Sequence, residues 1–382
     1  MLFALPMRHW TLAVAIVCAV AANSAIAQTI LPFKDASDVG KFMDEEDRIW
    51  TRAIELDTGI EKSGNIESDS ELTTYLQSIA AKLYPEFQDK IKVRIYKSPH
   101  LNAFALANGS VYVNQGLLAR MRNEAQLAAL IGHESAHFVH RHGFANQRSA
   151  KRAGAFAAGA RALLIPLFGD LLALSSIYGY SRELESEADR IGFQRMRTAG
   201  YDAREAIALF RTLEAEAKAI DSKEPFMFAS HPKLQERIAN FQKLVNAVPA
   251  QGELGTDTFL LKTAELRSLN LQSDIAMGRF ASTILVLEDP RQRILYGKEA
   301  DYYLGEAYRL RGKSGDEPLM MESYQRAFSL YPEFAPTYRA AGIAEMKKGN
   351  AEVAASHFNK YLELAPNAAD RAYVEAYAKQ LY

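Results

Sequence analysis

Apolar residues at Leu127, Leu130, Ile131, Phe138 and Val139 recur at the three-and-four spacing of a helix that buries one face. Asn123 supplies a cap at its start with Gln126 three residues on, and Gly143 offers a stop. Upstream, Ile91-Lys92-Val93-Arg94-Ile95-Tyr96 alternates apolar and polar positions as a half-buried strand does. Phe104-Ala105-Leu106 and Val111-Tyr112-Val113 flank Asn108-Gly109, a turn signal that predicts a hairpin. A second helix is expected from Ser181, a good N-cap, through Asp189. Residues 153–180 are apolar and broken by Arg161, Pro166, Gly169 and Asp170. A lid, a membrane-facing hairpin and a plain core helix pair all fit that pattern, but an uninterrupted span of about 18 apolar residues does not. Beyond Val248-Pro249-Ala250-Gln251-Gly252 the pattern is helical throughout. The fold class read from these periods is mainly α with a small β-sheet.

Two domains are expected, residues 28–248 and 253–382, preceded by a signal peptide over residues 1–27. That leader has Arg8 and His9, an apolar stretch from Trp10 to Ala22, and Ala25-Ile26-Ala27 before Gln28. Its loss leaves about 355 residues with no cysteine, since Cys18 lies within it, and moves the formal charge from -1 to -2. Near-neutral charge without a basic stretch argues against nucleic acid, and no stable transmembrane span is expected in the mature chain. The address implied is the bacterial periplasm.

The candidate chemistry is His133-Glu134-Ser135-Ala136-His137. Positions i and i+4 stack on one helix face, so both imidazoles can reach one ion while Glu134 stands beside it as base. A catalytic zinc takes three protein ligands, and Glu185 is the candidate for the third, four residues before Asp189 on one face of the Ser181 helix. Asp189 is placed to accept the second ring N–H of a ligand histidine. A solvated acidic face is the other reading of that segment. His140 and His142 enlarge the histidine cluster but are expected to be surface residues or supports behind the ligands.

Together these residues resemble the gluzincin metallopeptidases that include the CAAX prenyl proteases. The resemblance rests on HESAH at 133–137, SRELESEAD at 181–189, His231-Pro232 with Arg237-Ile238, and the Asn102 to Leu118 segment, and it covers roughly residues 40–245. It implies a zincin-type metalloprotease domain with one Zn2+ per chain, held by His133, His137 and Glu185, and with Glu134 as general base. His231 is implied near the metal, as an oxyanion donor or as an occupant of the open coordination position, and a turn histidine before proline is the structural alternative. Arg237 is expected to orient carboxylates. Asn102, Ala103 and Phe104 are expected on a strand whose edge a peptide substrate could join, unless the chain's own loops cover it.

Pro332 and Pro366 are 34 residues apart, the tetratricopeptide period. Tyr338, Gly342, Ala354 and Phe358 fall at the repeat's positions, and Leu304-Gly305, Tyr308, Tyr324 and Ala327 form a less regular unit before them. A partner or substrate groove and a stabilising cap are both consistent with two such repeats. The joint resemblance is to a periplasmic branch of the family that serves outer-membrane protein assembly. It implies an endopeptidase acting on unfolded or misassembled envelope proteins, with the repeats meeting the outer-membrane assembly machinery. An assembly chaperone with a latent protease site is the competing function, and a processing enzyme with one dedicated substrate is a third.

Overall fold

The computed structural model describes residues 30–41, 44–152, 179–220, 234–249 and 251–380. The expected leader, the run from 153 to 178, and His231 with Pro232 lie outside the described residues.

Helices α1 (Asp44–Lys62) and α2 (Ser70–Leu83) precede strands β1 (Lys92–Tyr96), β2 (Ala103–Ala105) and β3 (Ser110–Asn114). The sheet order is β1-β3-β2, with β1 parallel and β2 antiparallel to the central β3. Gly109 closes the β2–β3 hairpin at φ +90°, where a Cβ would also stand 2.5 Å from the Lys90 carbonyl oxygen. The outer edge of β1 is taken, because Ile66 bridges to Tyr96 and Glu67 N–H donates to the Ile95 carbonyl at 2.9 Å. No other strand among the described residues pairs with β2.

After α3 (Gln115–Arg120) comes α4 (Glu124–Val139), which packs against β2 and β3 and is buried over nearly its whole length. Asn123 caps it by accepting the Gln126 N–H at 3.0 Å. Gly143 is not its stop. The helix ends at Val139, Arg141 takes the left-handed conformation at φ +57°, and α5 (His142–Arg152) starts at once with Gly143 inside it. A left-handed arginine is disfavoured locally, and here its guanidinium is anchored on Glu46 of α1, with Nε 2.8 Å from Oε1.

Helix α6 (Arg182–Thr198) crosses α4 glycine to glycine. A Cβ on Gly192 would lie 2.9 Å from His133 N and 3.1 Å from Gly132 C, so no larger residue fits this crossing without moving a helix. Helices α7 (Glu205–Ala219) and α8 (Leu234–Asn246) complete the surroundings of the histidines.

The remaining helices are α9 (Thr256–Ala276), α10 (Phe280–Glu288), α11 (Ala300–Arg311), α12 (Asp316–Leu330), α13 (Ala335–Lys348), α14 (Ala351–Leu364) and α15 (Arg371–Gln380). Phe259 and Leu266 of α9 enter the core built by the sheet and α4. Arg267 donates to the Ala119 and Met121 carbonyls, and Ala125 N–H donates to the Leu254 carbonyl at 3.1 Å. Arg120, fully buried at the end of α3, pairs with Glu216 of α7 and with Asp274 of α9 at 2.7 Å, and reaches Ser282 of α10 at 2.9 Å. Helices α11–α12 and α13–α14 pack as two hairpins with a shared device: Gly305 lies under the Tyr324 ring and Gly342 under the Phe358 ring. The molecule is thus mainly helical around one small mixed sheet.

Candidate metal centre

The i, i+4 register of α4 turns His133 and His137 to the same side, and their Nε2 atoms lie 3.1 Å apart. The α6 crossing brings Glu185 to meet them, with Oε2 3.5 Å from His133 Nε2 and Oε1 3.5 Å from His137 Nε2. All three residues are buried. A tetrahedral ion with donors about 2.0–2.1 Å away sets those donors about 3.3 Å apart, so the three edges fit a single such ion. His133 Nδ1 lies 3.0 Å from both Asp189 Oδ1 and Arg237 Nη2, and its Nε2 is 3.3 Å from the same Nη2.

Asp189 is held in turn by Arg237 of α8, at 2.6 Å from Nη2 to Oδ1 and 3.0 Å from Nε to Oδ2. Burial by itself would raise the Asp189 carboxyl, but the Arg237 charge and the His133 hydrogen bond outweigh it and hold it below the usual carboxylate range. Arg237 Nη1 stands 3.5 Å from Glu185 Oε2, and the guanidinium packs over the Phe210 ring at 4.5 Å. One arginine therefore braces two carboxylates of α6. Glu134, the residue beside His133 on α4, is buried at 1% exposure.

His137 is supported differently. Its Nδ1 meets His142 Nδ1 at 3.0 Å, and Tyr180 stacks on its ring with centroids 3.9 Å apart and planes at 14°. His142 is buried at the start of α5, and its remaining nitrogen faces Glu187 at 3.6 Å, a separation too long for a hydrogen bond. Burial pushes the His142 imidazole down to about 4, against the pull of Glu187. His140 Nδ1 is 3.0 Å from the other Glu187 oxygen. His142 thus lies behind a ligand ring rather than at the surface, and Tyr180 was missed in the sequence because an isolated tyrosine after an apolar run carries no spacing signal.

The substrate-strand candidates lie on and beside β2. Asn102 and Ala103 are buried, and Phe104 is half-buried and stacks on Tyr112 at 5.1 Å. Asn114 N–H donates to the Asn102 carbonyl and Leu106 N–H to the Ser110 carbonyl. By the alternation of an antiparallel pair, the peptide groups of Ala103 and Ala105 therefore point away from β3, where Ala103 is fully buried and Ala105 half-buried.

Residues 67–245 match the model of Peptidase family M48. The chain carries a peptidase family M48 domain. That domain holds every residue of the donor cluster and its supports described above. The chain is 27% identical over 254 residues to a Vibrio cholerae protein named provisionally as a beta-barrel assembly-enhancing protease, covering 62% of this chain and 52% of that one. It is 32% identical over 158 residues to the mitochondrial metalloendopeptidase OMA1 of Schizosaccharomyces pombe, covering 40% of this chain and 46% of that protein. Against the beta-barrel assembly-enhancing protease of Escherichia coli K12 it is 26% identical over 226 residues, covering 54% and 46% respectively. The chain spans about half the length of these relatives.

Proposed function

We propose that the chain is a zinc endopeptidase of the periplasm that cuts unfolded or stalled envelope proteins, including those bound for the outer membrane. The observation that carries this reading is the buried His133, His137 and Glu185 set, whose donor separations suit one tetrahedral ion and which offers three ligands among the described residues. Two nitrogens and one oxygen in that array favour zinc over the harder oxygen-seeking cations. When bound, such an ion acidifies a water and polarises a carbonyl.

In this reading the chain's own groups do the rest. Asp189 keeps the His133 proton on Nδ1, so that Nε2 stays a ligand. Arg237 keeps Asp189 ionised and aims both Asp189 and Glu185. Glu134 takes the proton of the attacking water and returns it to the leaving amine. His231, which lies outside the described residues, is assigned to the oxyanion or to gating of the open position. A peptide is assigned to the side of β2 away from β3, beside Ala103 and Ala105, once the groups that bury Ala103 give way, and such backbone pairing reads extended chains with little regard to side chain. Helices α11–α14 are assigned as two tetratricopeptide-like repeats that receive the partner, in line with relatives named for β-barrel assembly.

The test is cleavage of an unfolded outer-membrane β-barrel protein by the zinc-loaded chain, beside Glu134→Gln. Cleavage by the wild type is expected, with a loss of at least about a hundredfold in the variant at unchanged zinc content. No cleavage by wild type or by His231→Ala, with zinc bound, would overturn the protease and favour an assembly chaperone.

A further inference from the structure

Behind the first donor cluster stands a second, made of His140, His142 and Glu187, with one ligating atom from each within 4.8 Å of the others. We infer that these three residues form a second transition-metal site, and that filling it opposes filling of the first. The coupling rests on the metal reading of His133, His137 and Glu185, whereas the second site does not.

The donor set is two imidazoles and a carboxylate, the same chemistry as the first cluster. His140 Nδ1 is 3.0 Å from Glu187 Oε1, and His142 Nε2 is 3.6 Å from Glu187 Oε2. His142 is 1% exposed, and its Nε2 has no hydrogen-bond partner among the described residues, so a buried polar atom is aimed into the cluster. The Glu187 side chain is 41% exposed, which leaves the cluster a path to solvent. Of the nearby cations, Arg195 is paired with Glu86 and Arg190 with Gln194, so neither guanidinium fills the position.

The antagonism follows from the contact between the clusters. His137 Nδ1 and His142 Nδ1 are 3.0 Å apart, and their rings meet edge to face with centroids 4.9 Å apart. A His142 ring drawn onto an ion at its Nε2 side shifts against the His137 ring and pulls it out of line. Excess free metal thereby becomes an off signal for the peptidase.

Zinc and cobalt titrations of the full chain decide the matter, with stoichiometry read by chelator competition and the cobalt visible spectrum, and cleavage followed in parallel. Wild type is expected to take two equivalents, the second weaker. Activity should fall as the second fills, and the first ion should be held at least about fivefold less tightly, the low end of ordinary site-to-site coupling. The His140→Ala/Glu187→Gln double variant should take one equivalent and escape inhibition, while Glu185→Gln should keep only the second site. A second equivalent that persists in the double variant, or one that leaves activity unchanged, overturns the inference. If wild type takes one equivalent, its retention in Glu185→Gln with loss in the double variant means that the second site stands and the proposed catalytic centre falls. The reverse pattern means that the second site falls.

Discussion

Asp189 lies 3.0 Å from His133 Nδ1 and 2.6 Å from Arg237 Nη2, so in the proposed zinc centre it holds a ligand ring in place. Asp189→Asn keeps the shape but removes the charge that Arg237 neutralises. Zinc affinity is expected to fall about 10–100-fold, the usual effect of losing such a support, measured by competition with a chromophoric chelator. An unchanged affinity would mean that α4 packing alone orients the ring. The facing of His133 and His137 is legible in sequence because it depends only on helix period, and the spacing of Glu185 and Asp189 is legible for the same reason. The His142 contact is not, since it needs a sharp reversal at Arg141 whose anchor, Glu46, lies 95 residues away. For the same reason Gly143 misleads as a stop, because a local rule for helix ends has no access to a distant carboxylate.

Between elements, the α4–α6 crossing sets the distance from the histidines to Glu185. Gly192→Ala places a methyl 2.9 Å from the His133 backbone nitrogen, and neither backbone can yield without moving its helix. A stability loss of about 1–3 kcal/mol is expected from overpacking. Zinc affinity should weaken with it, while Gly143→Ala, also within a helix and with only the Ala107 Cβ at 4.0 Å from the added carbon, serves as the control. The hairpin α13–α14 carries a pH dependence of its own. His357 stacks on Phe328 with centroids 5.3 Å apart, and burial holds its imidazole below the usual 6.5. As pH falls through about 6.5 the unfolded chain gains a proton that the folded chain refuses. Stability is therefore full above that pH and declines below it, until the lowered folded value is reached. Chemical denaturation of wild type and His357→Gln at pH 7.5 and 5.5 should show a smaller drop in the variant, and equal drops would remove His357 from the account. That helices fill this region is readable from period and from the Pro332 to Pro366 spacing. The ring pairing of Phe328 with His357 joins different helices and is not.

Across the whole molecule, Arg120 is the point where α3, α7, α9 and α10 converge. Burial alone would make its charge untenable, and Glu216 and Asp274 more than compensate, holding the guanidinium protonated. Arg120→Met strands two buried carboxylates, and a loss of about 3–5 kcal/mol is expected in urea denaturation, as for other broken buried pairs. A loss under about 1 kcal/mol would show that the carboxylates find other partners or protonate without strain. Nothing near Met121 in sequence announces this centre, because its three partners lie 96, 154 and 162 residues further on. The same spacing has a meaning for the chain while it is being made. At about 5–20 residues per second, roughly 8–30 s separate the emergence of Arg120 from that of Ser282. His133, His137 and Glu185 are made within that interval, and until Asp274 and Ser282 follow, Arg120 has only part of the set that balances it in the folded protein. The donor cluster is thus complete in sequence well before the scaffold that anchors the approach to α4 is complete.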